Sequence, residues 1–398
     1  MPEQGLTARE AAERLGVKPE TLYAYVSRGL LSRTRRPGGP SRFLVAEVEA
    51  LRARSRSGRR VLELPVESAL TSVRDDGLFF RGEDVALLAT TRAFEEVAQL
   101  LWTGAFGEVE GWEPDPAAVE VAAAAQTALP GGALPLDRLR VAAAALAALD
   151  PLRFQTSAAA VALTGRRLLA AMAASLAPHA TLAQLTVRGK ALRGSLAARV
   201  LAGLSGTEGV EVVNAALVLL ADHELSVSTL AARMAASISA DPYAVVCVGL
   251  SALGGPLHAV AALAAEDMLG EVGRSGAAAQ VVGERLRRGD RLPGFGHRLH
   301  PAGDPRATVL LAAVRSAFPG TPGLEAAEAV LRVTGDRGLP PPNVDFALAA
   351  LTAAAGLERG AGEAIFGIAR CAGWLAHALE EYATPRPLYV AVPVAPER

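Results

Sequence analysis

The sequence has few of the residues that mark secreted, metal-binding or nucleotide-binding proteins. Its two cysteines, Cys247 and Cys371, lie in apolar helical patterns, which favours buried reduced thiols over a disulfide framework. It contains no CxxC pair and no HExxH motif, and no glycine-rich phosphate-binding motif follows a predicted strand. We therefore expect neither a bound metal nor a nucleotide cofactor.

Aromatic residues are also scarce, at 5% against 51% apolar residues overall, and alanine and leucine dominate. This composition predicts a mostly helical protein. The segment Tyr243 to Ala265 is uncharged and long enough to suggest a membrane span, but Gly254-Gly255-Pro256 interrupts it. We predict a buried helix pair there instead. The polar N-terminus carries no signal peptide pattern, which predicts a cytoplasmic protein without a membrane partner.

Charge is unevenly distributed along the 398 residues. Residues 1–60 hold 13 Lys and Arg against 6 Glu, a net charge of +7, which leaves −8 for the remainder of a chain whose total is −1. A chain of this length can form more than one domain. The asymmetry predicts a basic N-terminal module and an acidic body with different partners.

The basic module has residues typical of the helix starts and helix ends of a helix-turn-helix. Thr7-Ala8-Arg9-Glu10 forms a capping box that opens a helix to about Leu15, and Lys18-Pro19-Glu20 opens a second helix that ends before Gly29. An arginine-rich segment, Arg33 to Arg42, follows and turns at Pro37-Gly38-Gly39-Pro40. The pattern predicts two short helices, a hairpin and a third helix from about Ala46.

These features resemble the winged helix-turn-helix of the MerR and excisionase families, at residues 1–56, with 57–61 as a linker. In those families the second helix enters the major groove and the wing contacts phosphates. The resemblance implies DNA as a partner, with contacts from Thr21, Tyr23, Arg28 and Arg42. The alternative is a small packing module with a solvated basic face.

Four short stretches of the C-terminal half concentrate the ionisable residues suited to catalysis. They are Ala221-Asp222-His223-Glu224, Gly255-Pro256-Leu257-His258, Gly294-Phe295-Gly296-His297 with Asp304-Pro305-Arg306 after it, and Asn343-Val344-Asp345-Phe346. Three of the six histidines of the chain lie in them. Imidazole, carboxylate and guanidinium groups together suit acid–base chemistry on an anionic carbonyl compound.

In this order and spacing the motifs resemble the citrate synthase family, from Ser68 to about Val390. The resemblance implies an all-α, two-domain fold, with a large domain at 62–256 and 346–398 and a small domain at 257–345. The implied reaction, that of the tricarboxylic acid cycle, condenses acetyl-CoA with oxaloacetate to give citrate and CoA through an enolate. Coenzyme A enters as a substrate, and no cofactor or metal is implied.

The resemblance assigns catalysis to His258, His297 and Asp345. Asp345 would take a proton from the acetyl methyl group, His258 would donate to the thioester oxygen, and His297 would protonate the oxaloacetate carbonyl. Asn343 is expected to cap a helix running through Ala355, and the dipole of that helix favours the ionised form of Asp345. The alternative is structural: a carboxylate that stabilises a helix N-terminus, and histidines satisfied within the core.

The resemblance implies that two further groups of residues bind the substrates. The group that would bind oxaloacetate comprises His223, Arg306, Arg370 and Arg386. Guanidinium groups suit dicarboxylates because they contact each carboxylate bidentately. Prolines on both sides of Arg386 favour an extended segment, and the resemblance implies that Arg386 is donated across a homodimer. The loop implied to lie against coenzyme A comprises Pro293, Gly294, Phe295 and Gly296. Arg370 and Arg386 could instead be ordinary surface residues.

The sequence departs from the family pattern in three places. The departures are Ala259-Val260-Ala261-Ala262 after His258, Ser226 after His223, and Leu299-His300-Pro301 before Asp304. The first two bear on the exact substrate or on the rate of turnover. A 2-methylcitrate synthase that uses propionyl-CoA is one alternative function. The basic module supports a further alternative, a transcription regulator whose body senses a metabolite.

Overall fold

The computed structural model describes residues 6–15, 22, 25–26, 31, 33–35, 41–44, 47–48, 66–74, 77–106, 112–177, 194–255 and 260–384. The chain divides into two compact units, residues 1–67 and 68–398.

The first unit contains a three-stranded antiparallel sheet and a short helix. Its elements are β1 (Leu6–Thr7), α1 (Ala8–Leu15), β2 (Arg33–Arg35) and β3 (Ser41–Phe43), with strand order β1-β3-β2. The predicted capping box is confirmed, because Thr7 N–H donates to Glu10 Oε2 at 2.8 Å and Glu10 N–H donates to Thr7 Oγ1 at 3.3 Å. The core of this unit comprises Ala11, Ala12, Leu22, Leu31, Phe43 and Val48.

The predicted arginine-rich hairpin is also confirmed. Strands β2 and β3 pair with Arg33 opposite Phe43 and Arg35 opposite Ser41, so that Phe43 is buried and Arg42 is exposed. Of the candidate DNA contacts, Arg42 alone lies within the described residues. The other three candidates, Thr21, Tyr23 and Arg28, lie outside the described residues.

The second unit begins with a small antiparallel sheet that the sequence did not predict. Its strands are β4 (Thr71–Arg74), β5 (Gly77–Phe80) and β6 (Glu83–Asp84), in that order. Leu78 and Phe80 alternate with more exposed neighbours along β5, which is the two-residue period of a strand. Because β5 is only four residues long, its alternation cannot be distinguished from chance variation in the sequence of a mostly helical protein.

The other regular elements of the described second unit are helices. They are α2 (Val85–Thr91), α3 (Phe94–Thr103), α4 (Pro116–Gln126), α5 (Pro135–Ala147), α6 (Ala158–Ser175), α7 (Leu196–Gly203), α8 (Val210–Leu220), α9 (Val227–Ser237), α10 (Pro242–Leu253), α11 (Val260–Ser275), α12 (Ala278–Arg287), α13 (Pro305–Ala317), α14 (Pro322–Asp336), α15 (Val344–Ala355) and α16 (Ala361–Tyr382). The prediction of a mostly helical fold is confirmed.

Helix α16 forms the centre of this unit. It packs against α3, α5, α6, α8, α9 and α10, and its side chains are buried almost continuously from Ala361 to Ala378. The close approach to α8 requires Gly373, since a Cβ atom there would lie 2.4 Å from the carbonyl oxygen of Ala221. Helix α10 ends at Leu253 and α11 begins at Val260, so a helix lies on each side of the predicted break. No helix in the described part of the chain combines the length and the apolar character needed to cross a membrane.

Candidate functional site

The first turn of α15 places the candidate base. Asn343 is the N-cap, and its Oδ1 accepts hydrogen bonds from the N–H groups of Asp345 at 3.0 Å and Phe346 at 3.4 Å. Helix α15 ends at Ala355, so the predicted cap and helix are confirmed. Burial raises the pKa of Asp345 to about 7 against the lowering effect of Arg306. Burial therefore outweighs the dipole effect expected from the sequence, and the carboxyl group ionises near neutral pH.

The candidate coenzyme A loop is pinned to this same turn. The N–H of Asn343 donates to the carbonyl of Gly294 at 2.9 Å, and its Nδ2 donates to the carbonyl of Gly296 at 3.0 Å. Gly294 has a φ of +79°, and a Cβ atom there would lie 2.9 Å from the backbone nitrogen of Phe346. The glycine is needed for both reasons. It holds the segment from Pro293 to Gly296 against the N-terminus of α15.

The loop continues to His297, whose tautomer follows from its contacts. The Nδ1 atom of His297 accepts from the N–H groups of Leu299 at 3.2 Å and His300 at 3.3 Å. Burial, followed by the charge of Arg306, lowers the pKa of His297 to about 4, so the ring is neutral and carries its proton on Nε2. That Nε2 atom lies 3.4 Å from Nη2 of Arg306. Both atoms are donors, and an acceptor placed near them would satisfy both.

Arg306 is held by Asp304, the N-cap of α13. Both side chains are buried, and Asp304 accepts from Arg306 Nε at 3.0 Å and Nη2 at 2.9 Å. Oδ2 of Asp304 also accepts from the N–H of Val344 at 3.0 Å, which ties α13 to α15. Burial would raise the pKa of Asp304, but the charge and hydrogen bonds of Arg306 lower it. The carboxylate is thus ionised and fixes the guanidinium in place.

A second buried guanidinium belongs to Arg370, in the middle of α16. Its side chain is 1% exposed, its Nε donates to the carbonyl of Leu220 at 2.8 Å, and its guanidinium carbon lies 4.7 Å from the centre of the Phe366 ring. Its Nη2 atom has no hydrogen-bond partner among the described residues. Burial lowers the pKa of Arg370 to about 10. A buried, incompletely paired cation of this kind suits an anionic ligand.

His223 lies in the turn between α8 and α9, next to the two histidines of the loop. Its ring centre is 5.4 Å from that of His297, with the planes at 84°. Burial, followed by the charges of Arg306 and Arg370, holds the pKa of His223 well below its usual value. The ring is therefore a neutral hydrogen-bonding group near two cations.

A buried polar network supports the turn that carries His223. Asp222 accepts from Thr71 of β4 and lies 3.3 Å from Nε2 of His377 in α16, and Nδ1 of His377 lies 2.7 Å from Nη1 of Arg233 in α9. Burial opposes both charges, yet their mutual attraction lowers the pKa of Asp222 and raises the pKa of His377. The network thus fixes the backbone beside His223.

The structure brings together nine of the eleven positions proposed from the sequence to touch oxaloacetate, perform catalysis or contact coenzyme A. These are the five residues His223, His297, Arg306, Asp345 and Arg370, and the four residues of the loop at 293–296. The candidates His258 and Arg386 lie outside the described residues. Within the described ranges, no group of three or more His, Cys, Asp or Glu side chains could hold a metal ion.

Sequence reasoning missed several supporting residues. Three supporting contacts were not predicted. They are the hold of Asp304 on Arg306, the hydrogen bond from the side-chain amide of Asn343 to Gly296, and the pairing of Asp222 with His377. The neighbouring His300 was also missed, although its position three residues after His297 places it in the same loop. Only Asp304 had a usable signal, since a carboxylate two residues before an arginine and followed by proline is typical of a helix N-cap.

The chain matches known proteins over most of its length. Residues 63–389 match the family profile described as citrate synthase, C-terminal domain, and residues 6–56 match a helix-turn-helix domain. Citrate synthase from Haloferax volcanii is 32% identical over 347 residues, which cover 80% of this chain and 90% of that protein. 2-Methylcitrate synthase 1 from Corynebacterium glutamicum is 28% identical over 335 residues, covering 77% of this chain and 86% of that protein.

A more similar stretch is shared with citrate synthase 2 from Bacillus subtilis, at 37% identity over 177 residues. It covers 44% of this chain and 47% of that protein, so the match spans about half the length of that relative.

Solved structures share the fold. Citrate synthase from Pyrobaculum aerophilum has a TM-score of 0.68 and 25% identity, covering 92% of this chain and 95% of that one. Citrate synthase from Thermoplasma acidophilum, solved as a ternary complex with carboxymethyl coenzyme A and oxaloacetate, has a TM-score of 0.69 and 23% identity. That match covers 86% of this chain and 97% of the Thermoplasma chain.

Proposed function

The chain belongs to the citrate synthase family, and from this premise we propose that it condenses acetyl-CoA with oxaloacetate to give citrate and free CoA. One observation carries the proposal. Two donors, Nε2 of His297 and Nη2 of Arg306, lie 3.4 Å apart, and Nη2 of Arg370 has no hydrogen-bond partner among the described residues. The charges of Arg306 and Arg370 act on the carboxyl group of Asp345, which ionises near neutral pH. This is an arrangement of cationic and neutral donors for an anionic carbonyl compound, beside a base.

The dicarboxylate would bind first to the two guanidinium groups. Nη2 of Arg370 is unpartnered among the described residues, and Arg306 is held in one orientation by Asp304. A carboxylate at either position would make charge-assisted hydrogen bonds. His223, neutral and adjacent, would donate to the 2-oxo group. The substrate would thereby be oriented before the second reactant arrives.

The condensation then needs a base, a donor to the enolate and an acid. Asp345 would remove a proton from the acetyl methyl group, and a pKa near 7 suits a base at neutral pH. His258, at its proposed position in the adjoining segment, would stabilise the enolate oxygen. The enolate carbon would attack the oxaloacetate carbonyl while His297 gives its Nε2 proton to that oxygen. Hydrolysis of the resulting thioester would release citrate and CoA.

Two-domain closure is part of the same proposal. His223 and Arg370 belong to the proposed large domain, 62–256 and 346–398, whereas His297 and Arg306 belong to the proposed small domain, 257–345. Because the site draws on both, closure of the small domain would complete it and exclude water from the enolate.

The acyl group of the thioester substrate has two candidates, acetyl and propionyl. A relative named 2-methylcitrate synthase matches 77% of the chain, so propionyl-CoA is the alternative thioester. A thiol-release assay with acetyl-CoA, propionyl-CoA and a panel of 2-oxo acids tests both. Oxaloacetate-dependent CoA release with either thioester supports the family reaction. Absence of CoA release with both thioesters and every 2-oxo acid would contradict it.

A homodimer is proposed from an apolar surface on α9. Val227, Met234 and Ile238 follow helical spacing and are 72%, 47% and 71% exposed. An exposed apolar stripe of this kind marks an interaction surface. A second copy would cover it and would bring Arg386 to the partner's site. Met234→Lys should weaken the dimer in sedimentation, whereas a monomeric wild type would contradict the proposal.

We further propose that the basic module binds DNA. Residues 6–56 match a helix-turn-helix domain, and residues 1–60 carry a net charge of +7. Affinity should therefore fall steeply with salt, and specific recognition should depend on Tyr23 and Arg28. Removal of residues 1–60 should abolish DNA binding and preserve citrate formation in the cytoplasmic enzyme. If the full chain binds no DNA at low salt, the module at residues 1–56 is instead a packing module. If the truncated protein stays folded and dimeric but loses catalysis, the two-module organisation is contradicted.

A further inference from the structure

His300 is a buried ring beside the site that has no part in the proposed reaction. Its side chain is 4% exposed, and its Nε2 atom lies 3.3 Å from Nε2 of His223. Its ring also stacks on His297, with centres 5.0 Å apart and planes 28° from parallel. Buried polar side chains are nearly always hydrogen-bonded. In the described part of the chain, His223 is the hydrogen-bond partner of the His300 ring.

The contact constrains the protons of both rings. A neutral imidazole has one N–H and one nitrogen with a lone pair. Two Nε2 atoms form a hydrogen bond only when one carries a proton and the other does not, so the tautomers of His300 and His223 are coupled through this contact. The tautomer of the third ring, His297, is fixed separately, because its Nδ1 atom accepts hydrogen bonds from backbone N–H groups.

The backbone further limits where the His300 ring can move. The N–H of His300 donates to His297 Nδ1, and the carbonyl of His300 accepts from the N–H of Gly303 at 3.1 Å. The ring of His223 stands edge-on to both loop rings, at 84° to His297 and 68° to His300. Rotation of the His223 ring would break the nitrogen–nitrogen contact.

We propose that His300 is a positioning residue that holds His223 in one ring orientation and one tautomer for binding a 2-oxo dicarboxylate. The inference rests on the proposed function of the site. A carbonyl oxygen only accepts hydrogen bonds, so His223 must present an N–H to it. Without His300, the ring of His223 would divide its population between tautomers and orientations, and only part of that population would be competent to bind.

Two variants and a control separate this role from simple packing. His300→Phe keeps a flat ring against His297 and removes the nitrogen, whereas His300→Gln keeps a polar group of similar reach that donates and accepts. We expect His300→Phe to raise KM for oxaloacetate about three- to tenfold, the range for one hydrogen bond, with kcat and KM for acetyl-CoA within about twofold. His300→Gln should restore KM to within about twofold of wild type. The control is Leu299→Ala, which alters the adjacent exposed side chain.

A second measurement does not depend on turnover. Nitrogen-15 NMR of the histidine side chains reports which ring nitrogen is protonated. His300→Phe should change the tautomer signature of His223, and His300→Gln should preserve it. An unchanged KM and an unchanged signature in His300→Phe would overturn the proposal, as would equal losses in the Phe and Gln variants. If the wild type neither binds nor condenses oxaloacetate, the proposed function fails, and the NMR result still decides whether His300 sets the tautomer.

Discussion

The side-chain amide of Asn343 donates a hydrogen bond of 3.0 Å to the backbone carbonyl of Gly296. The same side chain caps α15 through its Oδ1 atom, which accepts from the N–H of Asp345. One residue therefore links the candidate coenzyme A loop to the turn that carries the candidate base. Loop and base are expected to keep a fixed separation through this amide.

Asn343 should accordingly have separable effects on stability and on catalysis. Asn343→Ser retains a capping oxygen but cannot reach Gly296, so we expect a stability loss of about 0.5–1.5 kcal/mol and a several-fold higher KM for acetyl-CoA. Urea unfolding and steady-state kinetics measure the two effects. Ser157→Ala, which removes a cap from α6 alone, should lower stability without changing KM. A kinetically normal Asn343→Ser variant would show that the tether has no catalytic role.

Asp345 should set the acidic side of the pH–rate profile. Its carboxylate is the active form and its pKa is about 7, so kcat/KM should fall tenfold per pH unit below pH 7. His297, with a pKa of about 4, stays neutral over that range. Asp345→Asn should reduce kcat by roughly 10²–10⁴-fold and leave oxaloacetate binding intact. Near-normal CoA release by this variant would remove Asp345 from the mechanism.

The same raised pKa predicts an unusual stability effect. The folded state holds the Asp345 proton up to about pH 7, whereas the unfolded chain releases it near 3.8, so this group favours folding at low pH and its contribution is lost progressively as pH rises from 3.8 to about 7. Asp345→Asn removes the titrating charge. It should therefore raise the free energy of unfolding at pH 8, by up to about 4 kcal/mol, and have little effect at pH 4. Denaturant midpoints at both values check this, and equal effects at both would contradict it.

Local sequence signals predicted those parts of the structure whose geometry is set by near neighbours. The capping box at Thr7 and Glu10, the hairpin of β2 and β3, and the Asn343 cap of α15 each depend on residues within a few positions of one another. Such contacts follow from side-chain reach and backbone preference, and they appear where they were expected.

Contacts between distant segments could not be predicted in the same way. The hydrogen bond from Val344 to Asp304 joins residues 40 positions apart, and the contact between Asp222 and His377 joins residues 155 apart. The pKa of Asp345 likewise depends on burial by the whole fold, which reverses the effect expected from the helix dipole. The order of the motifs in the sequence identified the residues of the candidate site. Their protonation states, and the residues that hold them in place, were revealed only by the structure.

Arg370 should discriminate between the two substrates. Arg370→Lys keeps a positive charge and loses the planar fork, so KM for oxaloacetate should rise about 10- to 100-fold while KM for acetyl-CoA stays within about threefold. The matched control is Arg359→Lys, since Arg359 makes an exposed bidentate pair with Asp267. The control should leave both constants unchanged. Comparable increases for both substrates in Arg370→Lys would argue against a carboxylate-binding role.

Arg386 can be tested by complementation between subunits, although it lies outside the described residues. If Arg386 serves the partner's site, a heterodimer of Arg386→Ala and Asp345→Asn protomers has one site with an intact base and an intact donated arginine. Mixing the two inactive variants should then restore up to about a quarter of wild-type activity per site, because half the dimers are mixed and half their sites are whole. Each variant mixed with itself is the control.

Subunit exchange must be shown independently, for example by mass spectrometry of differently tagged protomers. Recovery that rises with the mixed-dimer fraction would establish a site shared between subunits. If exchange is complete and no activity returns, Arg386 acts within its own subunit or has no role. That result would also weaken the argument that the apolar stripe at Val227, Met234 and Ile238 brings a catalytic partner into place, since the dimer would then serve stability alone.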